Sequence, residues 1–248
     1  MKTKISAIII TFNEEKNIER CLDSLVGVVD EILVIDSFST DKTKEICKEK
    51  GVTFITHKFD GHIQQKNWAK DQASFDYVLS LDADEVLSDE LKKSILEVKK
   101  DLKNDGYFFN RMTNYCGKWI KHGGWYPDKK LRLWDKNKGK WGGKNPHDTF
   151  IMDTNTFTEY LKGDLLHYSY YSVEEHKIQA KKFAEIGAKS YFEHGKKSSF
   201  LKIIFSPIAR FISSYLIKLG FLDGKYGWKI AVISYRETKL KYQLLRKM

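Results

Sequence analysis

Three carboxylates fall within four residues at Asp82-Ala83-Asp84-Glu85, directly after the apolar run Tyr77-Val78-Leu79-Ser80-Leu81. Like charges at the end of a buried strand repel, so the cluster implies a positive partner. Residues two apart on an extended chain project to the same side, which pairs Asp82 with Asp84. Two oxygen ligands suit Mg²⁺ or Mn²⁺, ions that take few protein ligands and bridge to substrate phosphates. Taken alone, the triplet is better read as a turn cap followed by solvated acids. Other polar residues expected at the same edge change that reading.

Those residues are positioned by an alternation of strand and helix patterns over the first hundred positions. Ile5–Thr11 is a β-branched apolar run, and Ile18, Cys21, Leu22 and Leu25 follow at helical spacing. Glu31–Asp36 reads as a second strand, followed by a helix ending at Gly51, a short strand at 52–56 and a helix at 61–73. The fourth strand is Tyr77–Asp82, and Ser88 is placed to cap the next helix. Repeated β-α-β units predict an α/β fold with a doubly wound, mostly parallel sheet. Ligands bind such sheets beyond the carboxyl ends of the strands. Thr11, Asn13, Asp36, Asp82 and Asp84 all belong to that edge, and their convergence favours a divalent ion at Asp82 and Asp84. There is no G-x-G-x-x-G and no G-x-x-x-x-G-K-S/T, which removes the main support for dinucleotide and P-loop readings.

From Gly106 the chain becomes rich in glycine, aromatic and basic residues, and is expected to form hairpins and loops over the ligand edge. Helices are expected at 173–193, 199–222 and 225–245, the second of them broken at Pro207. The predicted division is an α/β domain at 1–170 that carries the ligand edge and a basic, partly amphipathic helical extension at 171–248.

Several segments resemble the family 2 glycosyltransferases in order and spacing. They are "ISAIIITFNEEKNIERCLDSL", "DEILVIDSFSTDKTKEIC", "QQKNWA" and "YVLSLDADE", then "YPDKKLRLW", "HDTF", "LLHYSYYS" and "GFLDGKYGW". The resemblance covers nearly the whole chain and is nearest to the branch that adds glucose to lipopolysaccharide core heptose. It implies a GT-A fold, a UDP-sugar donor, an Mg²⁺ or Mn²⁺ cofactor, inverting transfer and a lipid-linked saccharide acceptor. It further implies that Thr11, Asn13 and Glu14 line the nucleotide pocket and that Asp36 holds the uracil. Gln65 and Lys66 would lie near the base or phosphates. Asp82 would serve the ribose or the metal, and Asp84 would ligate the metal.

Inverting transfer needs a base to take the acceptor hydroxyl's proton. Asp148 in "NPHDTF" is the candidate, with His147 beside it; the pair reads equally as a loop held by turn hydrogen bonds. Relatives often carry glutamate at that position, so Asp148 has the shorter reach. Arg132, with Lys129 and Lys130, is a candidate phosphate ligand of donor or acceptor. Trp125 and Tyr126 are placed either to stack on a sugar ring or to form an aromatic cluster. His167 reads as a packing residue.

Composition bounds these readings. The chain has 248 residues, 42% hydrophobic and 31% charged, with 3 Pro, as expected of a globular protein rather than a disordered one. Three dispersed cysteines argue against a disulfide framework or zinc site and for a reducing cytosol. The N-terminus lacks a signal-peptide pattern, and no apolar stretch is expected to span a bilayer. The net charge of +10 resides in residues 195–248, with 12 Lys/Arg against 2 Asp/Glu. With the apolar run at 199–222, this predicts docking on an anionic membrane surface and a peripheral place on the inner face of the cell membrane. A metal-dependent nucleotidyltransferase and a basic nucleic-acid-binding protein are the rival readings. The long apolar runs of the tail fit a phosphate groove poorly, so no nucleic-acid partner is expected.

Overall fold

The sheet is built outward from β1 (Ile5–Thr11), whose residues are almost all buried. A strand covered on both faces must be apolar on both, and β1 is: Ile5, Ala7 and Ile9 pack into one cluster and Ile8 into the opposite one. The computed structural model describes residues 3–144 and 147–248, excluding the side chains of 144 and 147. After β1 come α1 (Ile18–Leu25), β2 (Glu31–Asp36), α2 (Thr43–Glu49), β3 (Thr53–Thr56), α3 (His62–Gln72) and β4 (Tyr77–Asp82). Then follow β5 (Glu85–Leu87), α4 (Asp89–Val98), β6 (Gly106–Tyr115), β7 (Lys118–Trp119) and β8 (Asp128–Asp135). A hairpin of β9 (Gly139–Lys144) and β10 (His147–Met152) precedes β11 (Thr158–Tyr170).

β1 lies parallel between β2 and β4, and β2 is parallel to β3. The register sets Thr11 opposite Asp36 and Ile10 opposite Asp82, so the polar strand ends arrive at one edge. The full order is β3-β2-β1-β4-β8-β6-β11-β5, with β8 antiparallel to β4 and β5 antiparallel to β11. This is the expected mostly parallel, doubly wound arrangement. The order reverses at β1, which is where such sheets open a binding crevice. Ser88 caps α4 as expected, its hydroxyl accepting from Leu91 N at 3.3 Å.

The aromatic and basic stretch after Gly106 departs from expectation. Rather than lying over the edge as loops, it supplies β6 and β8 to the main sheet. Tyr107, Phe109, Leu133 and Trp134 are fully buried there, and that burial drives the pairing.

The chain divides into two compact units, residues 1–111 with 129–167, and 112–128 with 168–248. The excursion 112–128, expected in the first domain, therefore belongs to the second unit. That unit contains α5 (Val173–Glu193), α6 (Phe200–Ile212) and α7 (Gly224–Lys247). A capping box starts α5: Ser172 Oγ accepts from Glu175 N, and Glu175 accepts from Ser172 N. Gly227 lets the backbone close in, since an added Cβ would stand 1.8 Å from the Gly220 carbonyl oxygen. The core of this unit gathers Tyr115, Ile120 and Ile230 with Trp125, Tyr170 and Tyr226.

Two expectations for the tail are corrected. Pro207 does not break the helix; it lies inside α6, which continues as a π-helical turn over Ser213–Ile217. The resulting segment Phe200–Ile217 has 18 residues, a mean hydropathy of 1.5 and 11% of its residues buried. By length and composition it suffices to cross a bilayer, contrary to the expectation that no stretch would. A proline costs one helical hydrogen bond, and the sequence pattern overstated that penalty.

Candidate active site

The loops after β1 and β2 lock together at the crevice. Asn13, at φ 55, accepts the Thr40 amide at 2.8 Å, and its own amide donates to Ser39 Oγ at 2.8 Å. Asp36 is buried and takes both the Ser39 amide at 2.8 Å and its hydroxyl at 2.5 Å. Its carboxylate is thus oriented before any ligand arrives. Thr11 Oγ1 is buried without a hydrogen-bond partner among the described residues. A buried hydroxyl left unpaired is costly unless something else bonds it. Gln65 reaches from α3 to Ser37 Oγ at 3.2 Å and His57 Nδ1 at 2.8 Å. Beside these, the rings of Phe12 and Phe38 are 57% and 61% exposed, leaving apolar faces free at the edge. Burial raises the Glu14 pKa; the Asn17 hydrogen bond opposes this, and the charges of Asp84, Asp41 and Asp82 add to it.

The carboxylates of Asp82-Ala83-Asp84-Glu85 have separate partners. Asp82 meets Lys66 Nζ at 2.9 Å and Arg132 Nη2 at 2.9 Å. Glu85, with no solvent exposure, accepts from Arg132 at 2.8 Å, from Arg111 at 3.5 Å and from the Asp82 amide at 3.0 Å. Asp84 meets His167 Nε2 at 3.1 Å. Burial opposes ionisation of Asp82, but the charges of Lys66 and Arg132 outweigh it and hold the carboxyl well below its usual range. Burial likewise works against the Arg132 charge, and Glu85 and Asp82 overcome it, raising its pKa. The positive partner of Asp82 and Glu85 is therefore the protein's own. Of the two aspartates expected at a metal, Asp82 has both oxygens committed to cations.

Asp84 and His167 remain as a pair that could donate to a metal, one through oxygen and one through nitrogen. The Nδ1 of His167 is buried without a partner among the described residues. No group of three or more His, Cys, Asp or Glu side chains gathers to hold a metal among the described residues. Two protein ligands still suit a cation whose remaining sites go to diphosphate and water. The residues present fit such an ion.

Asp148 enters from β10. Its Oδ2 lies 2.9 Å from Lys66 Nζ, so a single amine bridges Asp82 and Asp148. Lys66 is 5% exposed and sits 4.6 Å from the Trp141 ring centroid. Lys66, Asp82, Arg132, Asp148 and Trp141 line one pocket of about 390 Å³ together with Arg111. The structure thus brings Lys66, Asp82, Arg132 and Asp148 together at the candidate base. His147 is a side chain outside the described residues. In the second unit, Trp125 packs edge-on against Tyr115 and His176. Tyr126 is half-buried, before the cis peptide bond to Pro127.

Sequence reasoning missed His167, Arg111 and Trp141 as parts of the site, and named Glu85 in the acid cluster without giving it a role. His167 offered a signal in its apolar-flanked strand. Arg111 and Trp141 offered none, because their relevance depends on which strands are neighbours.

The sequence profile described as glycosyl transferase family 2 matches residues 6–159. A glycosyltransferase of Rickettsia prowazekii is 30% identical over 240 residues, covering 93% of this chain and 82% of the relative. The lipopolysaccharide core biosynthesis glycosyltransferase LpsC of Rhizobium meliloti is 28% identical, covering 96% and 87%. Among solved structures, S. aureus TarS 1-349 in complex with UDP-GlcNAc aligns over 97% of this chain and 92% of its own, with 16% identity and a TM-score of 0.46. The family profile spans more than half of the chain, and the doubly wound sheet carries the locked loops and paired acids where its binding edge must be. The chain belongs to glycosyl transferase family 2, with the GT-A fold.

Proposed function

We propose that the protein is an inverting, metal-dependent glycosyltransferase that moves glucose from UDP-glucose to a lipid-linked saccharide of the lipopolysaccharide core type. The observation that carries this reading is Asp148, 9% exposed and bridged through Lys66 to Asp82 at the carboxyl edge of β4. It sets a carboxylate beside the place where a sugar diphosphate would end.

In the proposed reaction, Asp148 takes the proton of an acceptor hydroxyl as that oxygen forms a bond to the anomeric carbon. The bond from that carbon to the diphosphate oxygen breaks, UDP leaves with the electron pair, and configuration inverts. The Lys66 amine, 2.9 Å from Oδ2, holds the Asp148 carboxylate in position. Asp36 would accept from the uracil, Thr11 Oγ1 would find its missing partner in the nucleotide, and Gln65 would line the same edge with Asn13 and Glu14. A divalent cation held by Asp84 and His167 would neutralise charge on the leaving diphosphate.

The acceptor class is supported by similarity to LpsC, named for lipopolysaccharide core biosynthesis. The tail supports work at a membrane. Phe200, Leu201, Phe205 and Ile217 are each 60% exposed or more, and Lys202, Arg210 and Lys218 border them. An apolar face edged with cations matches an anionic leaflet.

The test is thermal stabilisation of the full chain by UDP- and GDP-sugars with Mn²⁺, followed by transfer assays. Stabilisation by UDP-glucose, with Asp148→Asn abolishing transfer but retaining UDP affinity, is expected. Full transfer by Asp148→Asn would remove the assigned base.

A further inference from the structure

The pocket in front of Asp148 is more positive than its own acids require. Five basic residues line it, Lys66, Arg111, Lys129, Lys130 and Arg132, against two acids, Asp82 and Asp148. Even with the buried Glu85 behind Arg132 included, positive charge is in excess. Lys66 and Arg132 are fastened between carboxylates, and Arg111 leans on Glu85. Lys129 is different. Its amine lies 4.5 Å from the Phe108 ring centroid and 5.9 Å from that of Tyr160, with no carboxylate in ion-pair range among the described residues. Aromatic faces orient an ammonium group without neutralising it.

The place of this excess decides what it can serve. Asp36, on β2, marks the nucleotide end of the crevice. In the order β2-β1-β4-β8-β6, Lys129 on β8 is three strand spacings beyond it, and Arg111 on β6 is four. At about 4.8 Å per spacing, Lys129 stands about 14 Å from the uracil end, beyond the strand that carries Asp82. The surplus charge therefore lies past the donor diphosphate, on the acceptor side of Asp148.

We infer that Lys129, seated on Phe108 and Tyr160, forms a subsite for a phosphate group carried by the acceptor saccharide. The inference rests on the glycosyltransferase reading. It assigns the acceptor an anionic class: a phosphorylated sugar whose phosphate docks at β8 while a neighbouring hydroxyl faces Asp148.

The experiment uses the full chain with UDP-glucose and Mn²⁺, and one saccharide acceptor supplied with its phosphomonoester and after phosphatase treatment. The phosphorylated form is expected to have the higher kcat/KM, by about tenfold or more, as a charge-assisted hydrogen bond gives. Lys129→Met erases that ratio, Lys129→Arg preserves it, and UDP affinity by calorimetry is the same in all three proteins. Inorganic phosphate is expected to compete with the acceptor and not with UDP-glucose. Equal use of the two acceptors would overturn the inference, as would competition of phosphate with UDP-glucose, which would assign these cations to the donor. Calorimetry of inorganic phosphate alone reads the subsite separately: loss of binding in Lys129→Met supports it, and unchanged binding refutes it. Should UDP-glucose not bind at all, it is the donor reading that fails, and the phosphate titration still decides the subsite.

Discussion

Arg132→Met is the perturbation that probes the site's framework most directly. Arg132 Nη2 donates to Asp82 at 2.9 Å and to Glu85 at 2.8 Å, and Glu85 has no contact with solvent. Methionine fills much of the same volume without charge or donors, so packing changes little. What changes is that, among the described residues, Glu85 keeps only the Asp82 amide at 3.0 Å and Arg111 at 3.5 Å, a long contact for a hydrogen bond. Removing one partner of a buried ion pair costs about 3–5 kcal/mol, because the other charge is left without compensation. Urea unfolding, followed by tryptophan fluorescence, measures it; Trp134 and Trp141 are both buried in this unit. The double variant Arg132→Met with Glu85→Gln removes the stranded charge and should recover most of the loss, with a coupling energy above about 1 kcal/mol. A single-variant cost below about 1 kcal/mol, or additive costs in the double variant, would show that Glu85 does not depend on Arg132.

Other consequences can be checked separately. Burial holds the His176 pKa down at about 4 against the ordinary 6.5, so the unfolded chain takes up a proton there that the folded chain refuses. The stability contribution is complete above pH 6.5 and is lost as pH falls toward 4, by about 3 kcal/mol. A His176→Gln variant should lose that slope in pH-dependent denaturation, and an unchanged slope would place the acid sensitivity elsewhere. Manganese affinity, read by electron paramagnetic resonance in the presence of UDP, should fall about tenfold or more in either Asp84→Ala or His167→Ala, as loss of a ligand implies; retention in both would dismiss the pair as a metal site. Phe205→Glu, at a position 60% exposed, should weaken co-sedimentation with anionic vesicles without lowering the melting temperature. Equal binding to neutral and anionic vesicles would remove the basic residues from that role.

What the sequence disclosed, and what it did not, follows from how each feature is encoded. β1, β2 and β4, the cap at Ser88 and the helix Val173–Glu193 are local patterns, and all appear as read. Asp36 and Thr11 were placed at one edge by strand ends alone, and the register sets them opposite each other there. Arg132 was different. Its charge made it a candidate phosphate ligand, but nothing local shows that β8 lies against β4, and only that adjacency puts it on Asp82 and Glu85. His167 was hidden for the same reason: β11 pairs with β5 from far along the chain, and this register brings the imidazole beside the acid cluster. Pro207 misled because its local penalty is easily read, whereas the α6 and α7 packing that outweighs it is tertiary.

The six charges running Asp148, Lys66, Asp82, Arg132, Glu85, Arg111 alternate in sign, each touching the next. Such a row behaves like a short ionic lattice, in which reversing an inner member sets like charges side by side at two contacts and reversing an end member does so at one. Drift at one position is therefore admissible only with a matching change next door. Among the chain's descendants these positions should vary in adjacent pairs or not at all, so that the charge admitted at Arg111 is tied, through the residues between, to the charge at Asp148.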